Sequence, residues 1–64
     1  MFGDNLARIR KERDMSLAKI AVQLGVNPST VMRWEDNTLD CNARLLVKLA
    51  SVLGCKVADL TGVE

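Results

Sequence analysis

The sequence predicts an all-α fold of five short helices, and three observations carry that expectation. Apolar residues recur at three- and four-residue spacing, the period of one helix face. Capping residues and glycines punctuate the chain at helix-length intervals, with Ser16, Asn27 and Asn42 as starts and Gly25 and Gly54 as stops. Only Phe2 and Trp34 are aromatic and β-branched runs are missing, so no segment reads as a strand.

Helix one is expected from about Asp4 to Arg13. Leu6, Ile9, Arg10 and Arg13 share one face at helical spacing. Arg10 therefore lies beside the apolar stripe, where its guanidinium needs a partner because an unpaired buried charge is costly. Helix two opens at Ser16, a good N-cap, with Met15 and Ile20 placed to form a hydrophobic staple. Lys19 stands where a Glu or Gln would complete a capping box. Ile20, Ala21 and Leu24 point inward, and Gly25 is free to take positive φ and end the helix.

Helix three carries Asn27 as its cap, Pro28 at the first helical position, and Val26 poised against Val31. Val31 and Trp34 face the core, while Ser29, Met32, Arg33 and Asp36 fall on the outer side. Its end is expected near Asn37, which tolerates the left-handed conformation better than most residues. Thr38 to Cys41 reads as a loop. Asn42 caps helix four, whose apolar face is Leu45, Leu46, Leu49, Val52 and Leu53, and Gly54 stops it. A last short helix covers about Val57 to Leu60 and ends at Thr61-Gly62.

The chain has 64 residues, so a single domain over 1–64 is expected, with a core small enough to be marginal on its own. Apolar residues make up 48%, too many for a disordered chain. Net charge is only +1, so placement of charge says more than its sum. Arg8, Arg10, Lys11 and Arg13 crowd helix one, either as a solvated face or as a nucleic-acid patch. There is no histidine, and Cys41 and Cys55 match no ligand spacing. No metal, cofactor or small-molecule site is expected, and both cysteines read as small apolar residues of a reduced, cytoplasmic protein. Asp14, Asp36, Asp40 and Asp59 are scattered over caps and loops, so no catalytic carboxylate pair is expected and the chain does not read as an enzyme. Asp4 breaks any signal peptide, and Lys48, Ser51 and Gly54 break the longest apolar stretch, so no membrane partner is expected.

From Ser16 to Asn37 the pattern is two helices joined at Leu24-Gly25-Val26, a helix-turn-helix whose second helix enters the major groove of DNA. Together with LARIRKERDMSLAKIAVQLGVNPSTVMRWEDN and then LLVKLASVLGCKVADL, the chain resembles the lambdoid phage repressor and Cro family, also called the Xre family of bacterial regulators. The resemblance covers nearly the whole chain. It implies a compact five-helix, lambda-repressor-like DNA-binding domain, with helices two and three as the helix-turn-helix. It also implies a structural salt bridge between Arg10 and Glu35. By the same similarity Asn27, Pro28, Ser29, Met32 and Arg33 read bases. Arg33 is the strongest reader, because a guanidinium can bond guanine O6 and N7 together. A phosphate contact is the other reading of Arg33. Phosphates are expected at the start of helix two, near Ser16 and Leu17, and at Asn37, Thr38 and Arg44.

Three departures stand out. Leu17 replaces the Gln of many family members, the loop after helix three reads DNTLD where it is often basic, and Lys56 replaces the usual Ser or Thr cap. The expected function is a sequence-specific regulator of double-stranded DNA, a repressor, acting as a homodimer. Val57, Leu60 and Val63, with Leu39 and Cys55 nearby, are candidates for the two-fold contact, or are satisfied within one subunit. The alternative is a protein-interaction module of the same fold, antitoxin-like or anti-repressor-like, with weak or no DNA binding.

Overall fold

The computed structural model describes residues 1–62, which form α1 (Phe2–Glu12), α2 (Leu17–Leu24), α3 (Pro28–Glu35), α4 (Ala43–Leu53) and α5 (Val57–Thr61). No strand occurs among the described residues. Val63 lies outside them, so its expected dimer contact has no structural counterpart here.

The helices are too short to be stable alone, and tertiary packing must hold them. α1 packs on α3 and α5, α2 on α3 and α4, and α4 on α5. These pairings close a ring whose centre is filled by Leu6, Ile20, Val31, Trp34, Leu49 and Leu60, all essentially removed from solvent. Ala21 of α2 is buried in the same core.

Four helices end in the same way. A residue at the C-cap or just after it turns left-handed, and two backbone N–H groups reach back to the last turn in a Schellman arrangement. After α2 the bonds run from Gly25 to Val22 and from Val26 to Ala21, and after α4 from Gly54 to Ser51 and from Cys55 to Ala50. The same pattern follows α1 and α3 without a glycine, with Asp14 at φ 57° and Asn37 at φ 60°. Asp and Asn are the residues that tolerate this conformation best after glycine.

The structure corrects several boundaries. α1 starts at Phe2 rather than Asp4, and ends at Glu12 with Arg13 as its cap. Met1 offers no side-chain cap, but the N–H of Gly3 donates to Asn37 Oδ1 at 2.9 Å, so the missing cap comes from a distant part of the chain. α3 stops at Glu35, and its turn closes through Asn37. Asn27 sits at the N-cap, yet its side chain makes no capping bond; its own carbonyl accepts from Thr30 N–H at 2.9 Å instead. Ser16 and Asn42 do cap, accepting from Lys19 and Leu45 N–H at 3.0 and 2.9 Å. At α5, Asp59 Oδ2 accepts from Lys56 N–H at 2.9 Å. The Lys56 side chain has no acceptor to reciprocate, so this is half a capping box.

Candidate nucleic-acid interface

The attitude of α3 is set from behind. Val31 and Trp34 bury its inner face completely. Arg10 of α1 grips its last turn, with Nε donating to Glu35 Oε2 at 2.5 Å and Nη2 to Oε1 at 3.2 Å. Nη1 of the same guanidinium donates to the Met15 carbonyl at 3.0 Å, which ties in the α1–α2 connection. Both side chains of the pair are mostly buried, at 14% and 12% exposure. The hydrogen-bonded Glu35 carboxylate holds the Arg10 guanidinium above its ordinary pKa, against the opposing effect of burial.

On the opposite face, Ser29, Met32 and Arg33 are exposed, one turn apart or less. Asn27 and Pro28 are exposed where α3 begins. Among the described residues the Arg33 guanidinium has no ion pair or hydrogen bond, so all five of its donors are available. Asn37, Thr38 and Arg44 are also exposed. Two of them already have tasks. Asn37 Oδ1 accepts from Gly3, which leaves its Nδ2 as the free donor, and Thr38 Oγ1 donates to the Arg33 carbonyl at 3.2 Å. At α2, Ser16 Oγ accepts from Lys19 N–H, which leaves the hydroxyl hydrogen free to donate. The amides of Leu17 and Ala18 lie in the first turn and have no intrahelical acceptor.

The basic cluster on α1 is largely consumed by the fold. Arg8 pairs with Glu12 at 3.6 Å, Arg13 donates to the Leu53 carbonyl at 3.0 Å, and Arg10 holds Glu35. Lys11 alone of the four keeps its charge unpartnered among the described residues. It lines a notch of about 420 Å³ with Arg10, Asp14, Met15 and Ser16, beside the start of α2. Lys19 is exposed in the first turn of α2. Sequence reasoning named neither lysine as a phosphate contact. The signal was present for Lys19, because a cation in a first turn opposes the helix dipole and disfavours the helix unless an anion comes there. Arg44 in the first turn of α4 carries the same signal.

A Cro/C1-type HTH DNA-binding domain model matches residues 5–64. A candidate HTH-type transcriptional regulatory protein of Natronomonas pharaonis is 36% identical over 97% of this chain and 20% of its own length. A second such protein, from Methanosarcina acetivorans, is 29% identical over 88% of this chain and 17% of its own. The crystal structure of apo-HppE superposes with a TM-score of 0.87 at 32% identity, over 92% of this chain and 33% of that one. The chain thus spans about a fifth of the length of the curated relatives it matches.

Proposed function

The chain belongs to the Cro/C1-type helix-turn-helix DNA-binding family, and from that premise we propose that it is a sequence-specific transcriptional regulator, a repressor, that reads the major groove with α3. The observation that carries this reading is the contrast between the two faces of α3. One face is locked by Val31, Trp34 and the Arg10–Glu35 pair, and the other presents Ser29, Met32 and an unengaged Arg33. A rigid helix with a free polar face is what groove reading requires.

In this reading Arg33 bonds a guanine, Ser29 donates or accepts, Met32 touches a thymine methyl, and Asn27 and Pro28 border the site. The amides near Ser16 and Leu17, with Asn37 Nδ2, Thr38 and Arg44, hold phosphates on either side. Lys11 and Lys19 add to the α2 side.

Such a domain covers one half-site, so two copies on half-sites about 34 Å apart give useful affinity. The homodimer contact that fits best is centred on Leu39. Leu39 is 37% exposed and edges an open groove of about 460 Å³ that Phe2, Cys41 and Leu46 line. Leu60 is removed from the earlier set of dimer candidates, because it is fully buried inside its own subunit. Val57 and Cys55 are half-buried against the core and contribute at most an edge.

One observation favours the second reading, a protein-interaction module. Arg8, Arg10 and Arg13 are tied internally, while Asp36 and Asp40 are exposed beside the reading helix. Selection from random duplex DNA at about 100 mM salt decides between them. An enriched inverted repeat with half-sites one helical turn apart establishes the dimeric regulator. A bound pool with no enriched sequence overturns it and favours the interaction module.

A further inference from the structure

The two ends of the α1–α3 contact are held by different chemistry. Arg10–Glu35 grips one side, and the other is a direct seat of backbone on backbone. Gly3 lies so close to the end of α3 that a Cβ there would overlap the carbonyl oxygens of Trp34 and Glu35 and the Asn37 Oδ1. Across this seat the Gly3 N–H donates to Asn37 Oδ1 at 2.9 Å, over 34 positions of sequence. Asn37 is also the left-handed residue that closes α3, with its N–H on the Trp34 carbonyl at 3.1 Å. The next residue, Thr38, places both its N–H and its Oγ1 on the carbonyl of Arg33. One side chain therefore links the first turn of α1 to the turn that fixes the backbone of the principal reader.

We propose that Asn37 is a positioning residue for base reading: its side-chain oxygen sets the attitude of the α3 C-terminus, and so the presentation of Arg33, by capping α1. This rests on the reading of α3 as the recognition helix. It differs from the phosphate role, because the cap uses Oδ1 and a phosphate contact uses Nδ2.

Three variants separate the roles. Asn37→Gly keeps the left-handed turn without strain and deletes the whole amide. Asn37→Asp keeps an acceptor for Gly3, loses the donor and adds a negative charge that repels phosphate. Asn37→Ala deletes the amide and strains the turn, so it serves as the folding control. Two readouts are needed. Residual dipolar couplings report the angle between α1 and α3 in the free protein, and competition binding reports the ratio of selected to random duplex affinity. The expected result for Asn37→Gly is a changed α1–α3 angle, faster exchange of the Gly3 amide, and a specificity ratio about fivefold lower, the size of one net hydrogen bond. Asn37→Asp is expected to keep the angle and the ratio while binding all sequences more weakly. An unchanged angle in Asn37→Gly overturns the proposal. So does a uniform loss of affinity with the ratio intact, which assigns Asn37 to phosphate only. If the unaltered protein shows no site preference, the recognition-helix reading fails, and the dipolar couplings still report whether Asn37 sets the helix attitude.

Discussion

Arg33 and Arg10 are one residue type in two environments, and their consequences differ accordingly. Arg33 is solvated and unengaged, so its removal leaves the fold intact. Arg33→Ala is expected to cost about 1–3 kcal/mol of discrimination at one base pair, read by competition with single-base variants of the selected site. An equal loss on every sequence would mark a phosphate contact instead. Arg10 is mostly buried on Glu35, and Arg10→Ala leaves that carboxylate without its partner. About 3 kcal/mol of stability should be lost, measured by urea unfolding. Changing both residues to apolar ones of similar volume should recover most of it, because the orphaned charge is what costs. Sequence spacing placed Arg10 beside the core and Glu35 on the flank of the Val31–Trp34 face, and family resemblance paired the two. The Gly3–Asn37 bond left no local trace. Its partners are 34 positions apart, and neither sits in a pattern that announces the other.

The helices themselves were legible almost to the residue where their caps are local. Ser16 and Gly25, and Asn42 and Gly54, bracket α2 and α4 as their chemistry requires. Legibility failed where a cap is supplied from elsewhere. α1 begins two residues early because its cap arrives from Asn37, and Asn27 looks like a cap while the backbone does its task. The distinction is measurable. Ser16→Ala and Asn42→Ala should each lower stability by about 1 kcal/mol, whereas Asn27→Ala should cost a few tenths. Thermal unfolding of the three variants side by side checks the order. An Asn27 variant as damaging as the other two would contradict the observed bonding.

At the scale of the whole molecule, net charge hides an uneven distribution. Asp36 and Asp40 are exposed next to α3, and in the proposed function both repel phosphates. The double change Asp36→Asn with Asp40→Asn should strengthen binding to every duplex and leave the preferred sequence unchanged, as a titration against selected and random sites reports. A steep fall in selectivity would assign one of them to base reading. The two cysteines add a pH dependence to the stability of the fold. Burial pushes the thiols of Cys41 and Cys55 above their ordinary value, and for Cys55 Asp59 adds to this while Arg13 opposes it. The folded chain then holds these protons more tightly than the unfolded chain. The thiols' contribution to stability is therefore full below their ordinary pKa of about 8.5 and is lost as pH rises through the raised folded-state value. Urea midpoints from neutral to alkaline pH should fall, and the cysteine-free double alanine variant should lose that part of the decline. The ring of helices has a further consequence, for the order in which the chain folds. Asn5 Nδ2 donates to the Leu60 carbonyl at 2.9 Å, so the ring closes between positions 55 apart. The α1–α5 seat can form only once residue 60 has been synthesised, whereas the α2–α3 pairing needs only the segment from Leu17 to Glu35.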